Sequence, residues 1–172
     1  MHTCMLAGPV MRKGDIKNSL PIMESLTSEL PENPYFWELK GQALLENGRA
    51  AEAVAPLEKA LKLLPKNGLI QIMMAQALID TDNAANAEKA IKLLKQAQRS
   101  EGETPATYRY LARAYAKTGN IPRAELATAE AALLQGDRKL AIEKAKSAQK
   151  LFKKGTPEWT RANDVLTFAS RD

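Results

Sequence analysis

The sequence predicts an all-α protein: an α-solenoid of antiparallel helix pairs closed by a C-terminal capping helix. Two observations carry that expectation. The 172 residues include 28 Ala and 22 Leu but three Val, and 5% are aromatic. Ala and Leu are the strongest helix formers, whereas β-branched and aromatic residues favour strands. The second observation is an internal repeat, in which small residues, apolar residues, Gly and Pro recur at positions i and i+34.

The period is clearest from Pro34 to Asn67, where Trp37, Gly41, Leu44, Gly48, Ala53, Leu57, Ala60 and Pro65 mark two helices and their turn. Gly41 and Ala53 are small where two helices must cross closely. Gly48 ends the first helix in a left-handed cap and Pro65 stops the second. Trp37, Leu44, Leu57 and Leu61 supply apolar stripes that neither helix can bury alone. Upstream, Ala7, Gly14 and Pro31 lie one period before Gly41, Gly48 and Pro65, which predicts a first unit over about 1–33. Pro9 falls where its first helix should run. Pro21 and Pro56 sit inside second helices, where local bends are expected.

Downstream, Ala75 lies one period after Gly41, and a third unit is expected over 68–104. Its second helix is shifted by three, with Ala90, Leu94 and Ala97 in the small and apolar places. The insertion belongs to the polar stretch from Thr81 to Asn86, where loop length is cheap. A fourth unit, 105–135, is marked by Tyr108, Leu111, Ala112, Tyr115, Gly119 and Ala124. Gly119 and Gly136 are then half a period apart. The helix opened by Ile121-Pro122 is therefore expected to be shared with a further unit over 122–155. Arg138 to Phe152 forms the next helix, ended by Lys153-Lys154-Gly155. Thr156-Pro157-Glu158 opens the cap, 157–170, with Trp159, Ala162, Leu166 and Ala169 as its apolar stripe.

This pattern resembles the tetratricopeptide repeat (TPR). A more specific phrase, Asn33-Pro34-Tyr35-Phe36-Trp37-Glu38-Leu39-Lys40-Gly41-Gln42, resembles the C-terminal repeat region of bacterial periplasmic HExxH zinc metalloproteases. So do Ala129-Glu130-Ala131-Ala132-Leu133-Leu134-Gln135-Gly136-Asp137 with Ala141-Ile142, and Gly155-Thr156-Pro157-Glu158-Trp159. The resemblance spans most of residues 30–165. It implies a region that packs on a protease domain and handles outer-membrane protein substrates or assembly machinery. The HExxH motif is absent, so no catalytic or metal-binding residue transfers to this chain, and no enzyme activity or cofactor is expected.

The TPR resemblance also implies a groove along the first helices, where a protein or peptide segment binds. Its offsets fall on Tyr35, Glu38, Gln42, Leu45 and Glu46, then on Leu69, Ile72, Gln76, Ile79 and Asp80. In the fourth unit they fall on Ala106, Arg109, Arg113, Ala116 and Lys117. Arg109, Arg113 and Lys117 stack at i, i+4 and i+8 and could hold an acidic group, although a solvated helix face has the same look. Ile72 and Ile79 would provide an apolar strip. Where some chaperone-binding repeats clamp a C-terminal carboxylate with Lys and Asn, this chain has Glu38, Gln42, Ile72 and Gln76, which argues against that specificity. Met73-Met74, Trp37 and Trp159 read as packing residues.

Other function classes are narrowed by composition. No apolar run approaches the ~18 residues that cross a bilayer. The stretch from Cys4 to Met11 has its basic pair, Arg12 and Lys13, after it rather than before, unlike a signal peptide. Leu6-Ala7-Gly8 would fit a lipoprotein box, but Pro9 replaces the lipid-bearing Cys. With one His and one Cys, no HExxH zinc site, Ser-His-Asp triad or intramolecular disulfide can be built, and His2 with Cys4 makes only two ligands. The net charge of +5 is unevenly spread: residues 1–86 carry −2 and residues 87–172 carry +7. The basic run from Arg138 to Lys154 could meet an anionic surface. A nucleic-acid role is disfavoured, because Phe152 is the one aromatic nearby. A structural role, or a homodimer through an exposed end of the stack, is the remaining expectation.

Overall fold

The structure, a computed structural model, describes residues 16–81 and 83–171. Among them are nine α-helices and no strand. They are α1 (Ile16–Glu29), α2 (Pro34–Glu46), α3 (Ala50–Leu63), α4 (Gly68–Asp80), α5 (Ala84–Glu101), α6 (Pro105–Lys117), α7 (Ile121–Leu134), α8 (Arg138–Leu151) and α9 (Pro157–Ala169). The fold is the expected all-α, TPR-like solenoid. The first helix of the expected 1–33 unit, with Pro9, His2 and Cys4, lies outside the described residues. Helices α1 and α3 run on through Pro21 and Pro56.

Connections are three to five residues long, so consecutive helices fold back on one another. Seven helices start on a polar cap. Asn33, Asn67, Asn83, Thr104, Asn120, Asp137 and Thr156 each accept a hydrogen bond from a backbone N–H in the first turn. Such a cap is worth roughly 1 kcal/mol. One turn occurs three times. In Asn47-Gly48-Arg49 the Gly48 N–H donates to Leu45 O (3.0 Å) and the Arg49 N–H to Leu44 O (2.9 Å). Thr118-Gly119-Asn120 and Gln135-Gly136-Asp137 repeat both bonds, Asn120 to Tyr115 O and Asp137 to Ala132 O at 2.9 Å each. Gly48 and Gly136 sit at φ +72° and +79°, where a side chain would be strained. This turn joins α2 to α3, α6 to α7 and α7 to α8, so it stands at both ends of α7.

Each helix packs on its chain neighbours, and three contacts skip a helix: α2 with α4, α4 with α6, and α7 with α9. The period shows in bonds as well as in packing. Trp37 Nε1 donates to Pro31 O at 2.8 Å, and one period on, Gln71 Nε2 donates to Pro65 O at 2.9 Å. The main core runs from α2 to α7 through Leu44, Leu57, Ile70, Ile79, Leu94 and Leu111. Met74 is buried within it and Met73 packs on it, so the pair is helix-interface core. Beyond α7 the core is chiefly alanine: Ala129, Ala132, Ala141, Ala145, Ala148, Ala162 and Ala169, joined by Val165 and Leu126. Helix α9 packs on α7 and α8. Its buried stripe is Ala162, Val165 and Ala169; Trp159 and Leu166 are half-buried. Val165 is thus buried in the stripe, while Trp159 and Leu166 lie at its edges.

One very close crossing is at Gly41. A Cβ there would stand 2.4 Å from Leu57 Cγ, and Leu57 is fully buried. Gly41→Ala should gain up to about 1 kcal/mol of helix propensity but meet an overpacking cost of about 1–3 kcal/mol. The expected result in urea unfolding is a net loss of stability. In the Leu57→Ala background the loss should shrink; a Gly41→Ala variant more stable than the parent would show that the helices are not this close.

Candidate functional site

Of the helices expected to line the groove, α4 and α6 are joined by side-chain bonds. Tyr110 Oη on α6 donates to Gln76 Oε1 on α4 at 2.8 Å. Arg113 on α6 is ion-paired with Asp80 on α4. On α2, Gln42 Nε2 donates to Glu46 Oε1 at 2.9 Å. Glu38 is half-buried beside them, and burial holds its carboxyl above the usual range. Tyr35 and Leu69, near the starts of α2 and α4, are 62% and 57% exposed. The Tyr110 phenol is pushed up by burial and by Asp80, against the opposing effect of Arg113 and Arg109, so it remains a donor at neutral pH.

Individual residues depart from the expected pattern. Arg109, Arg113 and Lys117 are all exposed on α6, but Arg113 spends its charge on Asp80. Ile72 is half-buried against the core, and Ile79 is fully buried within it. Ile79 therefore does not line the groove. Helix α4 is wedged among α2, α3, α5 and α6, and Ile79 is buried where Leu45, one period earlier on α2, is half-buried. Tyr110 is not among the expected residues. The offset in the fourth unit follows the three-residue insertion, whereas the uncorrected period links Gln42, Gln76 and Tyr110 directly.

A second polar centre lies where α9 meets α6 and α7. Arg161 Nε donates to Glu130 Oε1 at 2.5 Å, and its Nη2 donates to Glu103 Oε2 at 2.8 Å and to Tyr108 Oη at 3.2 Å. Arg123 on α7 donates to Glu158 Oε1 on α9 at 2.7 Å and stands 5.9 Å from the centroid of the Tyr115 ring. Glu130 is 9% exposed, and burial raises its carboxyl pKa despite the pull of Arg161. Hydrogen bonding to Arg123 holds Glu158 below the usual carboxylate range. Burial pushes the Tyr108 phenol well up. Glu103, Tyr108, Glu130 and Arg161 form a wall shared by two clefts. One, about 270 Å³, runs toward Lys95, Tyr115 and Arg123; the other, about 180 Å³, is lined by Leu133, Leu134, Val165 and Phe168.

Among the described residues no group of three or more His, Cys, Asp or Glu is placed to hold a metal ion, and no helix is long and apolar enough to cross a membrane.

Removing Arg161 leaves a buried carboxylate without its cation. Arg161→Ala is expected to cost about 1–3 kcal/mol at neutral pH. The sign with pH follows from Glu130. Its folded pKa already stands above the unfolded value and rises further without Arg161. Below both values it is protonated in both states, so the deficit relative to the parent should shrink as pH falls from 7.5 toward 4. Urea midpoints at the two ends of that range check this, and an equal deficit at both would contradict the buried pairing.

The known proteins agree with the geometry at the level of the family. A tetratricopeptide repeat family model matches residues 10–136. Among individual proteins, the antiviral innate immune response effector IFIT1 of Macaca fascicularis is 29% identical over 101 residues, 54% of this chain. That alignment takes in 20% of the relative's length, so the chain spans about a fifth of it. With the repeat model covering well over half of the residues, and the helix pairs, turns and period-spaced bonds in place, the chain belongs to the tetratricopeptide repeat family.

Proposed function

We propose that the chain is a non-catalytic protein-binding module whose α2–α4–α6 face receives an extended segment of a partner. Membership of a family of protein-interaction repeats gives the general role. The observation that carries the specific site is the tying of successive first helices by Tyr110 to Gln76 and Arg113 to Asp80. These bonds fix side chains from two units in one surface, which lowers the ordering cost of docking a segment along it. Arg109, exposed on α6, then favours acidic groups, and half-buried Ile72 offers an apolar contact.

In its finer form the module serves a periplasmic zinc metalloprotease or a relative, presenting outer-membrane protein substrates or assembly partners. What supports that form is the resemblance carried by residues 33–42, 129–142 and 155–159. The protease chemistry itself would reside outside this chain.

A fluorescent peptide of alternating Leu and Asp tests the site. The triple variant Arg109→Glu, Arg113→Glu, Lys117→Glu should bind it on the order of tenfold or more weakly, about 1.4 kcal/mol. Helicity should stay the same and the melting point should move little, since the Arg113–Asp80 pair is exposed. Undiminished affinity in that variant would remove the site. Binding of random RNA that falls steeply with salt, with no peptide binding, would favour the basic C-terminal half instead.

A further inference from the structure

The order of the helices changes at α7. The turn that follows α2 and α6 also follows α7, with the same pair of backbone bonds. The contact that skips a helix changes partners too, from α2–α4 and α4–α6 to α7–α9. Side-chain bonds cross these contacts at similar separations. Gln76 to Tyr110 and Asp80 to Arg113 span 34 and 33 residues across α4–α6, and Arg123 to Glu158 and Glu130 to Arg161 span 35 and 31 across α7–α9. The family match ends at residue 136, inside the repeated turn.

We infer that α7 and α9 form a second inner face, half a repeat out of phase with the first. This face docks a protein segment that carries a large apolar side chain next to Lys or Arg.

The register can be checked residue by residue. The step that carries Gly48 onto Gly136 also carries Tyr35, Glu38, Gln42, Leu45 and Glu46 onto Arg123, Leu126, Glu130, Leu133 and Leu134. All five line the two clefts beside α9. The smaller cleft sets the chemistry of the occupant. Leu134 and Phe168, 47% and 56% exposed, face it with Leu133 and Val165. Its volume of about 180 Å³ is below the range of small-molecule pockets and suits one side chain of a larger partner. Its lining carries Glu103, Glu130 and Asp164 against Arg161, and Arg171 stands 5.0 Å from the Phe168 ring. Two of those carboxylates already hold Arg161, and Asp164 is exposed. The net negative lining therefore complements a cation beside the buried apolar side chain. This preference is opposite in sign to that of α6, and the inference does not depend on the first face binding anything.

The test uses the whole chain with ¹³C-labelled Leu and Val methyls. One probe is the peptide Gly-Lys-Leu-Phe-Lys-Gly and the other its counterpart with Glu in place of Lys. The Lys peptide should shift the methyls of Leu133, Leu134 and Val165, and Asp164→Lys should weaken it several-fold. Glu58→Lys, the same charge change on exposed α3, should leave the affinity as it was. Three results would each overturn the inference. They are no shift at those methyls with the Lys peptide, an equal response to the Glu peptide, or shifts that follow protein concentration alone. The last would assign the cleft to a second copy of the chain.

Discussion

Small residues at the helix crossings set the distance between neighbouring helices, and the other features of this chain follow from that distance. Gly41 lies so close to Leu57 that one added carbon would collide with it. Ala53, Ala60, Ala75, Ala90 and Ala97 are all fully buried in the same role. At such separations a helix pair excludes water with little side-chain volume, but it leaves each pair with apolar faces that only the next pair can cover. Stacking is thus obligatory rather than optional. The polar caps and left-handed glycines make the turns short enough for the stack to stay regular. A regular stack, in turn, brings side chains from successive first helices into bonding range.

Beyond α7 the same constraint becomes more severe. The crossings of α7, α8 and α9 are made by Ala129, Ala132, Ala141, Ala145, Ala148, Ala162 and Ala169. Alanines bury little area each, so α9 gains less from apolar burial than the central helices do. Its seat is completed by charge: Arg161 bridges Glu130 and Glu103, and Arg123 reaches Glu158. Such pairs define direction and register more than they add stability. A helix held by alanines and directed by ion pairs can sit half a repeat out of step without a large core having to be rebuilt.

Much of this is legible in the sequence, because the repeat is written in residue types with narrow uses. Gly48, Gly119 and Gly136 mark turns that no other residue would adopt as cheaply, and the Asn, Thr and Pro positions mark helix starts. The half-period between Gly119 and Gly136 announces the change at α7. What the sequence does not show are facts of three-dimensional environment. Ile79 occupies a groove offset, yet α4 has neighbours on four sides and buries it. Arg113 looks like an open cation until Asp80, on another helix, is brought to it. The Arg161 centre joins residues 31, 53 and 58 apart. Past Gly136 the period resumes half a repeat out of phase, so it cannot be counted on from the first units.

The packing of α9 against α7 is the point on which the account turns, since it converts a change of phase into a new face. The direct measurement is cross-linking. In a Cys4→Ser background, Arg123→Cys with Glu158→Cys should be joined efficiently by a short bis-maleimide in dilute, monomeric protein. Glu58→Cys with Glu158→Cys serves as the distant pair and should not be joined. Comparable yields for the two pairs, or none for the first, would mean that α9 does not lie along α7, and the second face would go with it.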